Sequence, residues 1–292
     1  MSYLAVDVGG TKILAGVVDD DGRVLAHERV ATPRAGVWDA IAGLVRRQLD
    51  AAPSRPVACG VGCGGPMTLG GEQVSNLHIT EWQDFPLRAR LAELSGLPTW
   101  VDNDAKALAL GEAWCGAAVG ERDFVAMVVS TGVGGGIVSR GELLDGRDGN
   151  GGHVGHVIVE PDGRECKCGA RGCLEAVASG TAIEAATGRP AAEAGPDVIA
   201  RTGRYVGRAL ASTGAIMDLR LAVIGGSVAL GFGEPFFAAV REELARTARI
   251  AFLRGFRVVP VGLGPLSPLV GGAAVARRGI GVAPAPGGGR RT

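Results

Sequence analysis

The strongest constraint on how this chain can fold is a short device that it carries twice. Residues 4–8 form an apolar run that stops at Gly9-Gly10-Thr11-Lys12 and resumes over 13–18. About 120 residues later the run 124–129 stops at Ser130-Thr131-Gly132-Val133-Gly134-Gly135-Gly136 and resumes over 137–139. Each copy reads as strand, glycine turn, strand, and residues 23–30 extend the first into a three-stranded meander. Unhindered backbone N–H groups beside a hydroxyl can cradle an anion without a lysine. Asp7, at the end of the first strand, adds a carboxylate able to hold a metal-bound phosphate tail. One such turn alone could equally be an ordinary tight hairpin. Two of them imply duplicated α/β domains facing each other across a cleft, gripping a phosphate chain from both sides. Neither turn is a Walker A loop or a dinucleotide fingerprint with its helix and ribose acid, so the pattern lies outside the P-loop and Rossmann classes.

A second local pattern concerns metal. Cys166 and Cys168 flank one residue, Cys173 follows after four more, and His156 precedes them with nine residues between. Three sulfurs and a ring nitrogen form the ligand set of a structural Cys3His zinc site. Gly163, Gly169 and Gly172 supply turns that bend such a loop around one ion. A disulfide pair or reduced core cysteines are the alternatives. A disulfide would require an exported chain, and no signal-like apolar region develops before Asp7. A closed four-ligand site has no position for substrate, so the metal would order the loop, by about 10 kcal/mol, and take no part in catalysis.

The length of 292 residues favours two domains. Thirty basic residues balance thirty acidic ones, which argues against nucleic acid or an anionic membrane as partner. Every apolar run is interrupted well short of a membrane span, so a soluble, cytoplasmic protein is expected. Helical spacing is expected over 38–49, 86–95, 105–114, 176–187, 198–217, 236–248 and 269–276, with strands at 57–61, 98–101, 221–224 and 257–261. Strand 57–61 runs into Gly62-Cys63-Gly64-Gly65-Pro66, a turn that could bring backbone close to a ligand, with Cys59 and Cys63 as small core residues. Asn103 and Asp104 fall where a strand meets a helix, the position from which open α/β sheets present ligand-binding groups. Both could instead simply cap that helix. Gly225-Gly226-Ser227 forms a third glycine turn, suited to the flat face of a base or ribose. Residues 280–292, rich in Pro, Gly and Arg, are expected to be a disordered tail.

Taken in order, DVGGTK, GCGGP, VDNDAKA, STGVGGG, GHVGH, CKCGARGCLE, VIGGSV and LVGGAA resemble the ROK family of sugar kinases, over nearly the whole chain. The family belongs to the actin and hexokinase superfamily. The resemblance implies a two-domain actin-like ATPase fold, ribonuclease H-like and duplicated, with a zinc-binding loop over 153–175. It places a small N-terminal α/β domain at 1–112, joined by the C-terminal helix 269–279, and a large α/β domain at 113–268. It implies transfer of the γ-phosphoryl group of ATP, with Mg2+, to a hexose hydroxyl, usually on carbon six. Asp104 matches the general base. Asp7 would orient the magnesium, and Gly9, Gly10, Thr11, Lys12, Thr131, Gly132, Gly134 and Gly135 would hold phosphates. Gly225, Gly226 and Ser227 would lie beside the adenosine. Gly65, Asn103, Asp104, His156 and Glu175 match positions that grip the sugar, and His156 would also ligate zinc with Cys166, Cys168 and Cys173. Sugar and ATP are the partners implied, in a homodimer or homotetramer. Family repressors carry a helix-turn-helix segment ahead of the first motif; here that motif starts at Asp7, so no DNA-binding segment is expected.

Two departures bear on the acceptor. Glucose-specific members usually carry Glu where this chain has His153, and His78 occupies a position that is often Asn. A neutral imidazole donates once and accepts once, unlike a two-oxygen acceptor. A histidine at the first position is also found in bacterial N-acetylmannosamine kinases, so glucose and an N-acylhexosamine both stand as acceptors. A sugar-binding regulator without useful catalysis, or a kinase using polyphosphate as donor, would be the competing functions.

Overall fold

The computed structural model describes residues 1–282. It contains two compact units, one formed by Met1–Gly120, Asp145–Gly151 and the chain from Gly262 onward, the other by Glu121–Leu144 and Gly152–Val261.

In unit 1, β1 (Ser2–Val8), β2 (Lys12–Asp19) and β3 (Val24–Ala31) form the antiparallel meander, and β4 (Ala58–Cys63) and β5 (Thr99–Asn103) run parallel to β1 in the order β3-β2-β1-β4-β5. β1 and β4 are buried along their whole length, as central strands covered on both faces must be, while edge strand β3 alternates between half-buried and exposed. Register sets Asp7 beside Gly62, and Gly62 beside Asp102. α1 (Val37–Ala51) buries Val37, Ile41, Leu44 and Val45 in the same apolar cluster as α2 (Leu87–Ser95) with Leu87 and Leu91. α3 (Asp104–Cys115) and α9 (Ser267–Gly279) lie together against the sheet. The close seat of α9 on β4 rests on glycine: a Cβ on Gly60 of β4 would stand 2.0 Å from the Gly272 carbonyl oxygen of α9.

Unit 2 repeats the plan. β6 (Phe124–Val129), β7 (Val133–Ser139), β8 (Glu142–Leu143), β9 (Leu221–Gly225) and β10 (Arg257–Pro260) form a sheet of order β10-β9-β6-β7-β8. Taken from the β8 edge, this is the strand order of unit 1, with β6 antiparallel to β7 and parallel to β9. α6 (Pro196–Met217) and α8 (Glu234–Thr247) pack together through Val206, Leu210, Phe236 and Val240 in the core of this unit.

Two local expectations change, and one turn leads into an element that was not expected. The helix expected over 176–187 is two, α4 (Leu174–Ala178) and α5 (Gly180–Thr187), because Ser179 is extended (φ −72°, ψ 155°) and its hydroxyl accepts the Ala182 N–H at 3.1 Å. The third glycine turn opens a short helix, α7 (Ser227–Phe232), which at six residues is too short to show a period. Of the expected tail, residues 283–292 lie outside the described residues, whereas Ile280 and Val282 are tied to the end of α9 by N–H donation to Ala276 (3.0 Å) and Arg277 (2.9 Å). Among the described residues no helix is long and apolar enough to cross a membrane.

Candidate active site

At the carboxyl ends of β1, β4 and β5, unit 1 presents Asp7 and the turn after it, Gly64-Gly65-Pro66, and Asn103-Asp104. Asn103 is the N-cap of α3, its side chain accepting the Ala105 N–H at 3.0 Å, and Asp104 is the first residue of that helix. Capping by Asn103 fixes where Asp104 starts, and the positive end of the helix favours its carboxylate. Asp7 lies near the end of β1 and Asp104 follows β5, with Gly62 of β4 between them: a Cβ there would lie 3.6 Å from both Asp104 Cα and an Asp7 carboxylate oxygen. Asp7 is raised to about 7, first by burial and then by the charge of Asp104, with Lys12 opposing. A buried acid lifted by its neighbour is a group that a divalent cation would relieve.

The β1–β2 turn closes through the Gly9 N–H on the Lys12 carbonyl (3.0 Å), and Thr32 binds its far side, hydroxyl to the Gly9 carbonyl at 2.7 Å. His78 sits on this turn: a Cβ on Gly10 would be 2.4 Å from His78 Cβ. The buried Asn76 holds it there, taking the His78 N–H at 2.8 Å while donating to the Gly64 carbonyl at 3.1 Å. The Gly65–Pro66 peptide is cis. Behind the strand ends, Lys106 is buried among Asp102 (2.9 Å), Asp145 (2.9 Å) and the Gly149 carbonyl (3.1 Å), which fastens segment Asp145–Gly151 to α3. Burial raises Asp102 against the pull of Lys106; in Asp145 burial is outweighed by hydrogen bonds from Arg278 and Lys106, which bring it to about 2.

In unit 2 the β6–β7 turn spans 130–132, with the Ser130 N–H donating to the Gly132 carbonyl at 2.9 Å. Gly134 and Gly135 belong to strand β7, and Gly135 is glycine because Val154 and the Gly152 carbonyl cover it, a Cβ there meeting them at 2.6 and 2.9 Å. Gly226 has φ +97° and would put a Cβ 2.3 Å from the Val129 carbonyl, so only glycine lets β9 turn into α7 beside β6. Ser227 then meets Ser130, hydroxyl to hydroxyl at 2.9 Å.

Segment 153–175 crosses the start of β7: a Cβ on Gly155 would be 2.1 Å from the Val133 carbonyl. The rings of His153 and His156 lie nearly parallel, 6.1 Å apart. The donor atoms of His156, Cys166, Cys168 and Cys173 all fall within 4.8 Å of one another, with Cys168 and Cys173 sulfurs at 3.7 Å and His156 Nδ1 at 3.9 Å from Cys166. All six cysteines are free thiols. Sulfurs about 2.3 Å from a tetrahedral zinc stand about 3.8 Å apart, so the donor set fits such an ion. Gly169 (φ +90°) and Gly172 (φ +76°) make the bends, the latter with its Cα against the Glu160 carbonyl. Cys173 is the N-cap of α4 and Glu175 its second residue, with Glu175 Oε2 accepting the Val133 N–H at 2.9 Å.

The model of the ROK family matches residues 3–278. The chain belongs to the ROK family. Among ROK relatives, the N-acetylmannosamine kinase of Citrobacter koseri is 38% identical over 84% of this chain and 89% of its own length. The glucokinase of Thermotoga maritima is 32% identical over 96% of this chain and 99% of its own. The crystal structure of a ROK glucokinase from Streptomyces griseus in complex with glucose and AMPPNP superposes with a TM-score of 0.82, at 32% identity, covering 95% of this chain and 100% of that one.

Within this ROK chain, the structure gathers Asp7, Gly9, Gly10, Thr11, Lys12, Gly65, His78, Asn103 and Asp104 in unit 1, and Thr131, Gly132, Gly134, Gly135, His153, His156, Glu175, Gly225, Gly226, Ser227 and the three loop cysteines in unit 2. Sequence reading passed over Asn76, Lys106 and Asp145. An asparagine two residues before a histidine in a short polar stretch, and a lysine in an alanine-rich helix, are the signals that could have marked the first two.

Proposed function

We propose that the chain is an ATP-dependent hexose kinase, transferring the γ-phosphoryl group to the 6-hydroxyl of an N-acylhexosamine such as N-acetylmannosamine, with glucose the alternative acceptor. Asp104 carries the reading: an exposed carboxylate at the head of α3, with the buried acid Asp7 near the end of the central strand close by, is where a hydroxyl proton can be taken as phosphate arrives. A base so placed contributes about 10² to 10⁴ in rate, and positioning with charge neutralisation supplies the rest. Bound magnesium would neutralise developing charge on the phosphates, with Asp7 as its orienting carboxylate. Zinc would be held by His156, Cys166, Cys168 and Cys173, leaving the second ring nitrogen of His156 for a sugar hydroxyl. His153 and the identity to an N-acetylmannosamine kinase favour the acyl sugar. The strand order common to the two sheets supports the finer assignment to the duplicated, ribonuclease H-like actin superfamily.

The test is the initial rate with Mg-ATP on glucose, mannose, N-acetylglucosamine and N-acetylmannosamine, with Asp104→Asn as the blank. One sugar is expected to lead, and Asp104→Asn to lower its kcat by at least about 10²-fold while sugar affinity is kept. Full turnover by the variant would remove Asp104 as base; no turnover on any sugar by the native chain would overturn the kinase.

A further inference from the structure

We infer that Glu175, besides any contact with the sugar, is a positioning residue for the phosphoryl donor: it holds the β6–β7 turn in the shape that receives phosphates. This rests on the kinase reading above and deepens it. One short stretch of chain grips that turn from behind. Glu175 Oε2 accepts the Val133 N–H at 2.9 Å, the Gly180 N–H donates to the Ser130 carbonyl at 2.7 Å, and the Thr181 hydroxyl donates to the Thr131 carbonyl at 3.0 Å. The carboxylate also presses on the turn itself, since a Cβ on Gly132 would lie 2.9 Å from the same oxygen. With these groups engaged, the N–H groups of Thr131 and Gly132 are left without an intraprotein acceptor among the described residues. Two adjacent backbone donors fixed in direction are what an oxyanion of a phosphate needs.

A carboxylate so close to an anion site also repels the anion, so its presence there calls for a purpose that the charge alone does not serve. The purpose is the accepting oxygen. Cys173 joins the Cys/His cluster and is the N-cap of α4 two residues earlier, so the order of that cluster reaches the donor turn through Glu175. Acceptor-side and donor-side residues therefore share one side chain.

Glutamine keeps an acceptor oxygen and loses the charge; alanine loses both. Binding of Mg-AMPPNP is measured by calorimetry without sugar, together with sugar affinity and melting temperature. Glu175→Gln is expected to bind the nucleotide as the native chain does or more tightly, and Glu175→Ala about tenfold more weakly than Glu175→Gln. Thr181→Val, at the other end of the grip, is expected to weaken nucleotide binding severalfold with sugar affinity unchanged. Equal nucleotide affinity in Glu175→Ala and Glu175→Gln, or a loss in sugar affinity alone, would overturn the inference and leave the kinase standing. Failure of the native chain to bind Mg-AMPPNP at all would overturn both.

Discussion

Asp7 is an acid that the fold keeps close to neutral. Its carboxyl, raised to about 7 by burial and by Asp104, holds its proton in the folded chain over a range where the unfolded chain has released it. Between about pH 4 and about pH 7 the folded state thus binds more protons, and rising pH removes stability. Asp7→Asn cannot ionise and escapes that loss. Its melting temperature is expected to rise above that of the native chain by a margin that widens from pH 5 to pH 8, and to narrow again when Mg2+ is added. A margin independent of pH would mean that Asp7 is ionised throughout. His78 shows another feature of this scale: its Cβ is packed over Gly10 of the β1–β2 turn. The residue that sets it there, Asn76, reaches across to Gly64, a link between loops that no local spacing advertises.

The Cys/His segment was legible from sequence because its chemistry is local. Cys166, Cys168 and Cys173 lie within one turn-rich excursion, and geometry among neighbours follows from spacing. Its attachments were not legible, because Glu175 meets Val133 and Tyr205 meets Glu160 across 42 and 45 positions, pairings that only the tertiary fold decides. Cys168→Ser tests the segment as an element. The native chain is expected to carry about one zinc per chain; the variant is expected to lose it and to bind sugar at least severalfold more weakly. Metal analysis beside sugar titration reads both. Normal sugar affinity in a metal-free variant would detach the segment from sugar binding. The glycine turns were equally legible as turns. What the glycines do differs: Gly226 permits a left-handed backbone, while Gly135 and Gly155 make room for a crossing strand and loop.

At the scale of the whole molecule the repeated strand order, β3-β2-β1-β4-β5 and β8-β7-β6-β9-β10, is the plan that two copies of one turn announced. The charge cluster of Asp102, Lys106, Asp145 and Arg278 was beyond reach of sequence, since its members lie up to 176 positions apart and meet only after unit 1 has assembled from separate stretches. Gly60→Ala would drive a methyl into the Gly272 carbonyl of α9, whereas Gly231→Ala meets nothing within 4 Å. The first is expected to cost about 1–3 kcal/mol and lower the melting temperature by several degrees; the second is expected to be neutral or slightly stabilising. Thermal unfolding of both would check the contrast, and equal melting temperatures would show that α9 yields at that contact. The same seat for α9 has a consequence during synthesis. Unit 2 is written entirely inside the sequence of unit 1, so its strands leave the ribosome complete while the central sheet of unit 1 still lacks the helix that covers it. The earliest-made strands wait for the latest-made helix, and a nascent chain paused before residue 267 would show its apolar β1 and β4 to any holdase within reach.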